Sequence, residues 1–126
     1  MSHRILVIED QPDTCKLIRM TLEFGDFEVH EARDGETGLA LARSLQPTLV
    51  LLGAMVSGVL DAHQVCARIK QDAALQQTHV VILAAQGLPS GAPPVGETAD
   101  AYLGRPWSPL SLIECVESMV GASAAP

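Results

Sequence analysis

Residues 48–58, Thr-Leu-Val-Leu-Leu-Gly-Ala-Met-Val-Ser-Gly, constrain the fold of this chain more than any other stretch. Leu49, Val50, Leu51 and Leu52 form an apolar run with no polar alternation. A strand with one face in water alternates, whereas a strand covered on both faces, as in the middle of a parallel sheet, reads as a continuous apolar run. Open α/β sheets gather ligands and chemistry at the carboxyl ends of their central strands. Gly53 stands at that place, where the chain is expected to turn out to solvent, and it brings no side chain.

Four further stretches fit strands. Residues 5–8, Ile-Leu-Val-Ile, are a second apolar run that ends at Glu9 and Asp10, two adjacent carboxylates. Residues 27–32 set Phe27, Val29 and Glu31 against Glu28 and His30, which suits a short strand near a sheet edge. Residues 79–83 and 101–103 supply the fourth and fifth strands. Helical patterns lie between them. Residues 11–24 place Ile18, Thr21 and Leu22 together, with Leu17 and Cys15 beside them; Asp13 is expected to cap the start and Gly25 to close the end. After an Asp34-Gly35 turn, residues 36–45 make a small-residue helix with Leu39, Ala42 and Leu45 on one side, ended by Pro47. Residues 61–71 pack through Val65, Cys66 and Ile69. Residues 108–120 carry the clearest local signals: Ser108 as N-cap, Pro109 in the first turn, a stripe of Leu110, Ile113, Val116 and Val120, and Gly121 as stop. Strands alternating with helices point to a doubly wound parallel sheet.

One segment breaks the alternation. Residues 86–98 hold Pro89, Pro93, Pro94, Gly87, Gly91 and Gly96. Proline inside a helix costs ~3 kcal/mol through its lost donor and its clash with the preceding turn. An irregular loop is expected here, with at most one turn near residues 95–99. Small residues and proline over 122–126 read as a flexible tail or the start of a linker, leaving a domain over 1–121.

Composition excludes several classes of function. A net charge of −7 offers no basic field for nucleic acid or anionic lipid. No run approaches the roughly 18 apolar residues of a membrane span, and residues 1–8 are too short in apolar length for a signal peptide, so a cytoplasmic protein is expected. Cys15, Cys66 and Cys115 are far apart and sit in apolar helical patterns, as buried free thiols do. His3, His30, His63 and His79 lack zinc-like spacing.

At the carboxyl ends of the strands stand Glu9-Asp10, Gly53, Ala84-Ala85 and Arg105-Pro106. Here the chain resembles the receiver domain of bacterial two-component response regulators, over about residues 4–120. The resemblance is carried by residues 5–10 (Ile-Leu-Val-Ile-Glu-Asp), 49–52 (Leu-Val-Leu-Leu) and 99–106 (Ala-Asp-Ala-Tyr-Leu-Gly-Arg-Pro). It implies a flavodoxin-like five-stranded sheet in the order 2-1-3-4-5, with the family's fourth helix replaced by the Pro/Gly-rich loop or much shortened. It also implies that Glu9 and Asp10 match the acidic pair that helps hold Mg²⁺ in the family. Gly53 falls at the phosphoacceptor aspartate, Ala84 at the phosphate-binding hydroxyl, Arg105 at the lysine and Tyr102 at the switch aromatic. The chain is thus similar to a degenerate, pseudo-receiver type. The turn after the third strand departs as well, with Ser57-Gly58 for the usual Pro-Gly.

Each change has a chemical consequence. An acyl phosphate needs a carboxylate nucleophile, which Gly53 lacks, and Asp61 lies eight residues on, past the turn. Mg²⁺ wants near-octahedral oxygen ligation, so binding at Glu9 and Asp10 is expected to be weak or vestigial. Arg105 can grip a carboxylate bidentately; it either pairs with Asp10 or Glu9 in the metal's place or points to solvent. Arg105-Pro106 matches the family's cis peptide position. Tyr102 either sits inward over the small Ala84 or is a half-exposed strand tyrosine.

Two readings follow from the resemblance. One is a non-enzymatic signalling module that acts by phosphorylation-independent protein–protein interaction, binding a sensor kinase, another receiver or an output domain. Leu112, Cys115 and Met119 on the last helix either contribute to that surface or belong to the core. The other is a response regulator that accepts phosphate on a different residue, or the receiver part of a longer multidomain regulator. A homodimer through the last helix is compatible with either.

Overall fold

The computed structural model describes residues 3–23, 27–53, 62–83, 101–103 and 108–124 of the 126-residue chain. Five strands, β1 (His3–Ile8), β2 (Phe27–Ala32), β3 (Leu49–Gly53), β4 (His79–Leu83) and β5 (Ala101–Leu103), pair in parallel in the order β2-β1-β3-β4-β5. Helices α1 (Pro12–Leu22), α2 (Gly35–Leu45), α3 (Ala62–Gln71) and α4 (Pro109–Ala124) cover the sheet, and a 3₁₀ turn, Ala73–Leu75, follows α3.

The apolar runs of β1 and β3 are buried throughout because side chains alternate between two covered faces. Ile5, Val7, Leu49 and Leu51 pack with Ile18, Leu22, Leu112 and Val116 of α1 and α4. Leu6, Ile8, Val50 and Leu52 point the other way, onto Leu39, Val65, Cys66 and Ile69 of α2 and α3. This is the doubly wound sheet and strand order expected of the sequence. The family's fourth helix would fall on residues 84–100, outside the described residues.

The helices depart from expectation in instructive places. Pro12, with φ preset for a first turn, starts α1 after Gln11, so Asp13 lies inside the helix near its positive end rather than capping it. Leu17 is 43% exposed; the face α1 buries holds Thr14, Cys15, Ile18, Thr21 and Leu22. On α4, Ser108 caps as expected, its hydroxyl accepting the Ser111 N–H at 3.1 Å. The stripe that packs on the core, however, is Leu112 and Val116, buried, with Cys115 and Met119 half-buried beside them, while Leu110 is 65% exposed and Ile113 half-buried. Leu112 therefore belongs to the core, while Cys115 and Met119 pack against it half-buried. Gly121 does not stop α4, which runs on to Ala124. One glycine costs only about 1 kcal/mol in a helix, and the alanines after it are the best helix formers.

Gly38 marks the closest approach of α2 to the sheet. A β-carbon there would overlap Cγ1 and Cδ1 of the buried Ile8. Gly38→Ala is expected to lower stability by about 1–2 kcal/mol, overpacking outweighing the better helix propensity. In urea denaturation, Ile8→Val should recover part of that loss.

Two turn carboxylates tie stability to pH. Asp34 accepts the Thr37 N–H at 2.7 Å, and this bond holds its carboxyl below the ordinary 3.8. Asp72 accepts the Ala74 N–H at 2.9 Å and the Arg43 Nε–H at 3.0 Å, and both lower its pKa, the backbone bond more strongly. Their folded pKa values lie below the unfolded ones, so their contribution is complete above the ordinary aspartate range of about 4 and fades as pH falls through the folded values. Asp34→Asn/Asp72→Asn should show a smaller drop in urea midpoint between pH 6 and pH 3 than the parent chain.

Candidate functional site

The carboxyl ends of β1 and β3 meet at Glu9 and Gly53. Parallel pairing matches Ile5 with Leu49 through Ile8 with Leu52, so the next residues, Glu9 and Gly53, come side by side. Gly53 still belongs to β3, paired with Leu83 of β4, and is buried. It does not turn out to solvent. The reason is Glu9. A β-carbon built on Gly53 would overlap Glu9 Oε2 and lie 3.0 Å from Cδ and 3.3 Å from Oε1. The Glu9 carboxylate thus occupies the space that a side chain at position 53 would take.

The root of Glu9 is pinned on both sides. Its N–H donates to the Ala32 carbonyl at 3.0 Å, and its own carbonyl accepts the Cys15 thiol at 3.3 Å. Oε1 accepts the Gln11 N–H at 3.3 Å, at the amino end of α1, where a carboxylate is favoured. The residue is 4% exposed. Asp10, by contrast, is half-exposed and looks into a cleft of about 590 Å³ beside β2. That cleft, which Glu9 also lines, sets Asp10, Glu31 and Asp34 against Lys16, Arg19 and Arg33. Arg19 Nε donates to Glu31 Oε2 at 2.6 Å, joining α1 to the sheet edge.

Glu9, Asp10 and Gly53 are therefore brought together as the sequence implies. Ala84, Arg105 and the Arg105-Pro106 peptide lie outside the described residues, and with them the pairing of Arg105 with Asp10 or Glu9; the Tyr102 side chain lies outside them too. The seating of Glu9 on Gly53 escaped the sequence reading. Its signal was the equal length of the two apolar runs, which puts the first residue after each in register.

Glu9 and Asp10, the pair that the resemblance assigns to Mg²⁺, line one cleft together. The Glu9 carboxylate covers Gly53 and also lines Asp10's cleft, and among the described residues no three His, Cys, Asp or Glu groups gather in a way that could hold a metal ion.

A five-stranded parallel sheet in this order, with acids at the end of β1, is the flavodoxin-like architecture that receiver domains share. The chain matches the response regulator receiver domain family over residues 5–117 and belongs to that family, a signal-transduction component of two-component systems. It is 34% identical over 125 residues to the DNA-binding dual master transcriptional regulator RpaA of Synechocystis, covering 93% of this chain and 48% of that protein. It thus spans about half the length of such a relative. Among solved structures, a putative response regulator from Chloroflexus aurantiacus superposes with a TM-score of 0.83 at 22% identity, covering 96% of this chain and 99% of that one. The receiver domain of sensor histidine kinase PA1611 from Pseudomonas aeruginosa, solved with magnesium in its active-site cleft, gives 0.81 at 20% identity, over 96% and 99% of the two chains. Among the described residues no helix is long and apolar enough to cross a membrane.

The thiol in the cleft is held in its protonated form. Burial first, then the negative charges of Glu31 and Glu9, push the Cys15 pKa up to about 11. Burial also raises Cys115, which is half-buried rather than fully buried. Iodoacetamide at pH 8 is expected to leave Cys15 largely unmodified in the folded chain and to label all three cysteines in urea, as read by peptide mass mapping.

Proposed function

We propose that this receiver is of the degenerate type and signals by phosphorylation-independent protein–protein interaction. The observation that carries this reading is the buried backbone of Gly53 beneath the Glu9 carboxylate, at the position where the family's phosphoacceptor side chain stands. Acyl-phosphate chemistry needs a carboxylate oxygen that an incoming phosphoryl donor can reach. Glycine has none, and Glu9 is nearly closed to solvent.

The chain acts as a binding module in the cytoplasm, not as an enzyme. Its partner is a protein: a sensor kinase, another receiver or an output domain. The match to about half of a DNA-binding regulator supports an output domain within a longer protein as one such partner. Nucleic acid would then be contacted by that domain and not by this acidic one, whose net charge is −7.

Intact-mass spectrometry after incubation with acetyl phosphate and Mg²⁺ tests the reading. No phosphoryl adduct on the native chain is expected, under conditions that fully modify a phosphorylatable receiver run alongside. An adduct would overturn the proposal, and fragmentation would then identify the acceptor.

A further inference from the structure

We propose that Arg19 is a latch on the outer edge of β2, and that the strand edge beneath it is complementary to the same edge of a second copy of this chain. The proposal does not rest on the phosphorylation reading.

The backbone of β2 decides which groups are free to pair. β2 ends the sheet, with β1 on one side only. The Ala32 carbonyl accepts the Glu9 N–H from the β1 side at 3.0 Å. Backbone groups alternate in direction along a strand, so Glu28, His30 and Ala32 turn theirs to β1, while Phe27, Val29 and Glu31 turn theirs outward. Such an outward row is a template for another strand. Arg19 lies across it. From α1, its Nη2 donates to the outward Val29 carbonyl at 3.4 Å and its Nε to Glu31 Oε2 at 2.6 Å.

The edge is self-complementary about Val29. Two copies related by a two-fold axis there run antiparallel, with Val29 opposite Val29 and Phe27 opposite Glu31, so that their outward N–H and C=O groups meet. Glu28 and His30 then come opposite each other twice, an acid facing an imidazole in each pair. The same two groups already meet within one strand, at 2.9 Å. No like charges come opposite one another along residues 27–31 in this register. Arg19 blocks it in two ways. Its guanidinium holds the carbonyl that the second copy's Val29 N–H needs. The two guanidinium groups would also face each other across the axis at about one strand spacing, ~5 Å. The native chain therefore keeps this edge closed.

Sedimentation velocity over a concentration series tests the latch, and backbone hydrogen exchange by NMR locates the contact. Arg19→Ala, a change at a half-exposed side chain, should dimerise at least about tenfold more tightly than the native chain, since each copy frees its Val29 carbonyl. In that dimer the Val29 and Glu31 amides should gain a protection from exchange that they lack in the native chain. Adding His30→Glu should weaken the dimer about tenfold by setting two pairs of carboxylates face to face, and Glu28→Lys on top of it should restore the affinity. An Arg19→Ala chain that associates no more tightly than the native one, or that dimerises with those amides unprotected, would overturn the proposal. So would a dimer indifferent to the charge reversal.

Discussion

Burial of β1 and β3 on both faces is the constraint from which the remaining architecture follows. Ile5 to Ile8 and Leu49 to Leu52 are all without solvent exposure. Each such side chain contributes about 1.5–3 kcal/mol relative to remaining in water, before the entropy of ordering it. Because successive side chains point to opposite faces, the same two strands feed both cores, one closed by α1 and α4 and the other by α2 and α3. Such a sandwich leaves no lateral room for charge. Polar chemistry is confined to the strand ends, and Glu9 is the first residue past the run that can carry it.

That confinement explains how the site accommodates its glycine. A side-chain deletion in a packed interior leaves either a void, whose cost grows with its volume, or a neighbour that moves in. Here the neighbour is charged. It is tolerated at low exposure because a backbone N–H at the amino end of α1 donates to one of its oxygens, and a buried carboxylate without such a donor would be costly. The carboxylate near Gly53 thus comes from the adjoining strand.

The rim of the molecule is held by weaker devices. β2 is an edge strand, and its exposed side is lined with charge: Glu28 meets Arg4 at 3.2 Å and His30 at 2.9 Å, and Glu31 meets Arg19. Exposed pairs of this kind add at most about 1 kcal/mol each, but charge along an edge discourages pairing with another strand. Capping does the same local work at α2 and at the 3₁₀ turn, through Asp34 and Asp72.

Local pattern was enough to identify the five strands, their alternation with helices, the Ser108 cap and the acids after the first strand, because each depends on a few neighbouring residues and a fixed period. The burial of Val65, Cys66 and Ile69 was legible for the same reason. Which face of α4 meets the sheet was not: Leu110, Ile113 and Val116 and the observed Leu112, Cys115, Val116 and Met119 are both helical stripes, and the docking angle chose between them. Nor was the extension of α4 through Gly121, since a lone glycine is a weak stop when alanines follow. By itself, then, the sequence determined a doubly wound parallel sheet with two acids after its first strand and a glycine at the end of its third, since composition and period are properties of the chain. That Glu9 turns across to cover Gly53 was decided by tertiary structure alone, because it arises from register between strands that lie 44 residues apart, roughly, in a chain that knows its neighbours only once the sheet has closed.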